Sequence, residues 1–219
     1  MTSTPPSAPG SPGGSRRWEP PLDPNTWTGA LVISFAVGVA VWIVQIVNDV
    51  QNYSLNRFAM RARHVDGLWG ILTQPFLHSS YSQTLRDTVI MVAVSWVLML
   101  SGWRNWVIVT AIVLVVGGGL TWLIAPAKVI LGSSVLVFGW LGYLIARAVF
   151  SRKIRWILVA LGVLFFFGTM FANVLPNVDE HTPWQAYLSG LAAGVLAGAV
   201  LHAGGASRPT PRPDRPAVS

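Results

Sequence analysis

The sequence predicts an all-α polytopic membrane protein, a bundle of six transmembrane helices. Three observations predict it. Of 219 residues, 53% are hydrophobic and only 11% are charged, where a soluble domain carries about 25% charged residues. The mean hydropathy is +0.54. The apolar residues fall into six runs separated by short polar stretches, each run close to the ~20 residues that cross a hydrocarbon core ~30 Å thick.

The first run extends from about Trp27 to Val47 and the second from Ser80 to Leu100. The third covers Trp106 to Ile124, the fourth Leu131 to Phe150, the fifth Ile154 to Ala172, and the sixth Pro183 to Ala203. Each is long enough for a spanning helix and too long for an ordinary strand. Residues 1–26 are rich in Pro, Ser and Gly and read as a disordered tail. They lack an apolar stretch and a small-residue cleavage site, so no cleaved signal peptide is expected. Residues 204–219 are rich in Pro and Arg and read as a second tail. The membrane domain is thus expected over 27–203.

The net charge of +7 and the pI near 10.8 do not point to nucleic acid, because the basic residues are scattered at membrane edges. Placing the N-terminus inside puts Arg16, Arg17, Arg104, Arg147, Arg152, Lys153, Arg155, Arg208, Arg212 and Arg215 on the inner side. The outer side then holds Arg57, Arg61, Arg63 and Lys128, with Arg86 near the start of the second helix. The positive-inside rule therefore predicts both termini in the cytoplasm. Without cysteine there is no disulfide, thiolate nucleophile or Cys-based metal site. The absence fits a bacterial inner membrane.

The first loop, about residues 48–72, mixes Tyr53, Leu55, Phe58, Met60, Leu68, Trp69 and Ile71 with polar residues. It suits a partly embedded, interfacial structure or an ordinary amphipathic loop. Small residues are spaced for helix contact. Gly190, Gly194 and Gly198 lie four apart on the sixth segment, and Gly132, Val135, Gly139, Gly142 and Ala146 form a mostly small stripe on the fourth. In lipid, close backbone approach supplies the packing energy. Packing these stripes together would bring Ser134 and Tyr187 to similar depth.

Three ordered motifs carry a resemblance. They are Trp69-Gly70-Ile71-Leu72-Thr73-Gln74-Pro75-Phe76-Leu77-His78 ahead of the second segment, Gly132-Ser133-Ser134 continued by Phe138-Gly139 and Gly142, and Trp184-Gln185-Ala186-Tyr187-Leu188-Ser189-Gly190 continued to Gly194. In order and spacing the chain resembles the rhomboid intramembrane serine proteases over roughly residues 27–203. The resemblance implies a serine nucleophile on the fourth helix and a histidine base on the sixth. It also implies oxyanion donors from the second helix and the serine's own N–H, with transmembrane segments of other proteins as substrates. It implies no metal and no cofactor.

Mapped through the resemblance, Ser134 takes the nucleophile position. His78 takes the first histidine of a His-x-x-x-x-His-x-x-x-Asn pattern, Gln83 replaces the second, and Asp87 replaces the asparagine. Val135 stands where the family has a glycine after the serine, and Tyr187 stands at the base. A hydroxyl is a weak nucleophile without a base, and tyrosine, with an ordinary pKa near 10, does not accept a proton at neutral pH. An ionised carboxylate beside a developing oxyanion repels it. Losing one oxyanion donor costs about 3–4 kcal/mol, or ~10²–10³ in rate. The expectation is a homologue inactive in proteolysis that binds transmembrane segments of client proteins.

Two other readings stay open. The chain is an active endopeptidase if another base serves Ser134. His202 lies roughly 22 Å from Tyr187 along a helix, whereas His181 lies about 9 Å away and is the candidate. A small transporter or channel using His78, Arg86 and Asp87 is also compatible with six helices, although no inverted repeat is seen.

Overall fold

The structure, a computed structural model, describes residues 23–126, 128–175 and 184–202. Its helices are α1 (Trp27–Val50), the one-turn α2 (Gly70–Thr73), α3 (Tyr81–Met99), α4 (Trp103–Ile112), α5 (Gly118–Ile124), α6 (Ser134–Ser151), α7 (Ile154–Phe167) and α8 (Trp184–His202). A π-helical turn at Val113–Gly117 joins α4 to α5, so that Trp103–Ile124 forms one span. A 3₁₀ segment, Gly168–Val174, continues α7. The result is the expected all-α bundle of six long helices. Among the described residues five of them are long and apolar enough to cross a membrane. The sixth, α3, is less apolar because Gln83, Arg86 and Asp87 lie in its first half.

Local chemistry sets the helix ends. The Thr26 hydroxyl accepts from the Gly29 N–H at 3.0 Å and starts α1. The Ser80 hydroxyl accepts from the Gln83 N–H at 3.2 Å and starts α3. These are N-cap bonds that satisfy otherwise orphaned donors. Thr26 also donates to the Asp23 carbonyl at 2.7 Å, so residues 23–26 form an ordered cap on α1; the rest of the tail expected over 1–26 lies outside the described residues. The second tail lies outside the described residues.

The spans alternate in direction. Trp96 Nε1 donates to the Trp27 carbonyl at 3.1 Å, which ties the end of α3 to the start of α1. Tyr81 Oη donates to Asp49 at 3.0 Å, which ties the start of α3 to the end of α1. The central helix is α6, with 72% of its span buried against 17% for the span beginning at α7. Phe138, Trp140, Leu141, Tyr143 and Leu144 fill the core from it. The outer helices turn exposed apolar residues such as Phe35, Leu161, Phe165 and Phe166 outward, as a bilayer solvent requires.

The stripe on α8 meets α6 backbone to backbone. A Cβ at Gly190 would strike the Val135 carbonyl oxygen, and one at Gly194 would strike that of Gly139. A Cβ at Gly142 would come within 2.6 Å of the Leu191 carbonyl oxygen. Gly139 has a second neighbour, since the Val113 side chain of the π turn occupies its Cβ position. Gly132 departs from the expected stripe. It lies ahead of α6 with φ +101° and faces α3, not α8. A Cβ there would sit 2.8 Å from Gln83 Nε2 and 3.1 Å from an Asp87 oxygen.

The first loop is folded onto the bundle. Strand β1 (Met60–Arg61) pairs antiparallel with β2 (Val129–Ile130), Met60 opposite Ile130 and Arg61 opposite Val129. Ala59, Met60 and Ala62 are buried. Trp122 Nε1 donates to the His64 carbonyl at 3.0 Å, and Arg63 donates to the Ala125 carbonyl at 2.9 Å. Strand β2 runs directly into Gly132, whose N–H lies 3.1 Å from the Gln74 carbonyl oxygen and 2.9 Å from that of Leu77. The loop thereby fixes the backbone that delivers Ser133 and Ser134.

Candidate functional site

Ser134 is the first residue of α6. Its main-chain N–H is one of the orphan donors of a helix start. Its side chain is half-buried and lines a cavity of ≈ 380 Å³. One wall of the cavity is α3, through Gln83, Arg86, Asp87 and Ile90; the others are Ser133, Ser134, Val137 and Phe138 of α6, Met170 after α7, and Tyr187 of α8. The structure thus gathers four of the sequence-selected residues, Ser134, Gln83, Asp87 and Tyr187, around one space. Arg86, expected at the interface, is exposed and also borders this cavity.

The two α3 side chains differ in how they are held. Gln83 Oε1 accepts from the Ser79 N–H at 3.1 Å and from the Ser79 hydroxyl at 2.7 Å. With its oxygen engaged, the amide nitrogen is the end that faces Gly132. Asp87 lies one turn further along α3, which places it on the same face. Its side chain is 18% exposed, and its Oδ2 lies 3.4 Å from His78 Nε2. That contact is within ion-pair range but lacks hydrogen-bond geometry, since both ring nitrogens of His78 are unpartnered.

His78 itself is fully buried and sits behind Asp87, off the cavity wall. Gln74 is a neighbour that sequence reading did not single out. Its carbonyl accepts from Gly132, while its buried side-chain amide has no partner on either atom. The Gln-Pro step at the approach to α3 was the available signal. Met170 and Phe138 were also missed as wall residues, because their apolar character fits any core position.

Tyr187 is half-buried, and its ring meets Phe138 edge-on at 4.7 Å between centroids. Among the described residues neither the Tyr187 nor the Ser134 hydroxyl makes a hydrogen bond. Among the described residues the ionisable side chains on the cavity wall are Arg86, Asp87 and Tyr187. No imidazole is among these described wall residues. His181 lies outside the described residues, and His202 bonds to Tyr143 at 3.0 Å at the opposite end of the bundle. Among the described residues no group of three or more His, Asp or Glu could hold a metal ion.

The Rhomboid domain family model matches residues 65–204, which includes every wall residue of the cavity. The chain is also similar to uncharacterized proteins of mycobacteria. It is 31% identical over 184 residues to one from Mycobacterium tuberculosis, covering 80% of this chain and 75% of that protein. It is 30% identical over 184 residues to one from Mycobacterium leprae, covering 80% and 72%. On this match and on its bundle of spanning helices, the chain belongs to the rhomboid family and is an integral membrane protein.

Proposed function

We propose that this rhomboid does not cleave peptide bonds and instead binds transmembrane segments of other membrane proteins beside the cavity. The observation that carries the reading is the residue at the base position. Tyr187 stands against Phe138 on the cavity wall, and no imidazole of the described residues joins it there. Serine needs a base to lose its proton during attack. Asp87 adds a carboxylate where an oxyanion would develop, which opposes the charge. The cavity is lined on its apolar side by Ile90 of α3, Val137 and Phe138 of α6 and Met170 after α7, and such apolar walls suit a partner helix. Position in a bacterial plasma membrane with both termini cytoplasmic completes the proposal, supported by the Lys and Arg distribution.

A second reading is favoured by one observation, the hydrogen-bond donors that border the cavity. The Gln83 amide nitrogen faces Gly132, two residues before Ser134, and Gln83 and Ser134 line the same cavity. An active serine endopeptidase with His181 as base would use them. A fluorophosphonate probe on the folded full chain separates the two. The proposal expects no labelling of Ser134, together with photo-crosslinking of intact client segments from a benzophenone residue at position 90. Labelling abolished by Ser134→Ala and by His181→Ala would establish the second reading.

A further inference from the structure

The end of the bundle opposite the cavity holds a buried cation without a counter-ion among the described residues. Arg147 of α6 is only 8% exposed. Its Nη1 donates to Tyr143 Oη at 2.6 Å, and that hydroxyl lies 3.0 Å from His202 Nε2. Its Cζ stands 4.0 Å over the Trp156 ring. Arg155 brings a second guanidinium to the same indole at 5.4 Å. A hydroxyl and an aromatic face stabilise a guanidinium but do not neutralise it. The ion pairs among the described residues are Arg61–Asp66 and His78–Asp87, both at the cavity end. Neither Arg147 nor Arg155 has a described carboxylate within 4.0 Å.

Three donors at this place are also unspent. Arg147 Nε, Trp156 Nε1 and Ser151 Oγ are buried without a hydrogen-bond partner. Buried donors and charges of this kind ordinarily find acceptors. Ser151 lies four residues after Arg147, on the same face of α6. The site falls where one span ends at Ser151 and the next begins at Ile154, with Arg152 and Lys153 exposed in the link. Exposed Val149, Phe150, Ile154 and Leu158 flank it.

We propose that Arg147, Arg155, Ser151 and the Trp156 indole N–H bind the phosphate of an anionic phospholipid headgroup, at the α6–α7 edge of the bundle. A phosphate supplies the acceptor oxygens and the negative charge that the described residues do not provide there, and Arg forks suit it. The flanking apolar side chains fit acyl chains, which favours a lipid over a soluble phosphate. Basic pockets between spanning helices at a membrane surface take such headgroups.

The test is native mass spectrometry of the full chain in detergent, with phosphatidylglycerol and phosphatidylcholine of equal chain length in competition. Wild type is expected to retain phosphatidylglycerol preferentially. Arg155→Ala, an exposed position that leaves the fold intact, should lower the preference roughly fivefold. Arg147→Lys should lower it as well, since the fork is lost while the charge stays. Arg57→Ala, at the cavity end, should leave it unchanged. Equal retention of the two lipids by wild type, or an unaltered preference in Arg155→Ala, overturns the proposal. Abolition of the preference by millimolar inorganic phosphate overturns the lipid source and assigns the site to a soluble anion.

Discussion

The Tyr187 ring stands edge-on to the Phe138 ring, with centroids 4.7 Å apart and planes at 71°. Phe138 in turn meets Phe171 at 5.7 Å and 66°. Tyr187 is therefore one member of an aromatic packing chain from α8 through α6 to the turn after α7. Edge-to-face pairs of this kind contribute about 0.5–1.5 kcal/mol beyond burial.

A packing role for Tyr187 separates its ring from its hydroxyl. Tyr187→Phe should leave stability within about 0.5 kcal/mol of wild type, because the hydroxyl has no described partner. Tyr187→Ala should cost on the order of 2 kcal/mol, less than the ~3–5 kcal/mol of a fully buried aromatic. Unfolding titrations in mixed micelles measure both. A large loss in Tyr187→Phe would show that the hydroxyl is engaged.

The α6–α8 contact predicts a contrast among glycines. Gly194→Ala forces a methyl into the Gly139 carbonyl and should destabilise by about 1–3 kcal/mol or more, as overpacking does. Gly119 and Gly162 have nothing within 4 Å of a Cβ. Gly119→Ala and Gly162→Ala should be neutral or stabilise by roughly 0.5–1 kcal/mol through helix propensity. Thermal denaturation of the three variants decides it.

Ser95 links three helices. Its hydroxyl lies 3.0 Å from that of Ser34 on α1 and accepts from Trp106 Nε1 of α4 at 2.9 Å. Hydrogen bonds between membrane helices average about 0.6 kcal/mol, so Ser95→Ala, which removes two, should cost roughly 1 kcal/mol in the same unfolding assay. Ser34→Ala, which removes the bond to Ser95 and a long one to the Met99 sulfur at 3.8 Å, should cost no more than Ser95→Ala.

Much of this architecture is legible in the sequence because bilayer thickness sets run length. The expected segments overlap the observed spans, and the ends differ where local structure intrudes. The fourth run begins at Leu131 in apolar character, yet α6 begins at Ser134, because β2 and the Gly132 turn take the residues before it. The pairing of Met60 with Ile130 spans seventy residues and only two positions per strand, which leaves no periodic pattern to read. Gly132 looked like part of a small-residue stripe, since spacing alone cannot report a φ of +101°. At the site, the clustering of Ser134, Gln83, Asp87 and Tyr187 followed from the motif order. The retreat of His78 behind Asp87 did not, because a motif specifies spacing and not depth.

Gly132 carries a prediction about the site. Gly132→Ala meets both the positive φ and the Gln83 amide, with a cost of about 1–3 kcal/mol for the backbone alone. It should also displace the Gln83 amide from its place beside position 132 on the cavity wall. Hydrogen exchange at Ser79 and Gln83 should rise in this variant while that of α8 stays unchanged.

The most direct test of the central claim is a cleavage assay in liposomes with a generic single-span substrate. It compares wild type, Ser134→Ala, Tyr187→His, and Tyr187→His combined with Asp87→Asn. The account predicts no cutting by wild type and a gain only when the base is restored. The double variant should be the faster one by about 10²–10³, the worth of one oxyanion donor. Cleavage by wild type that Ser134→Ala abolishes would contradict the account and require a base outside the cavity residues described.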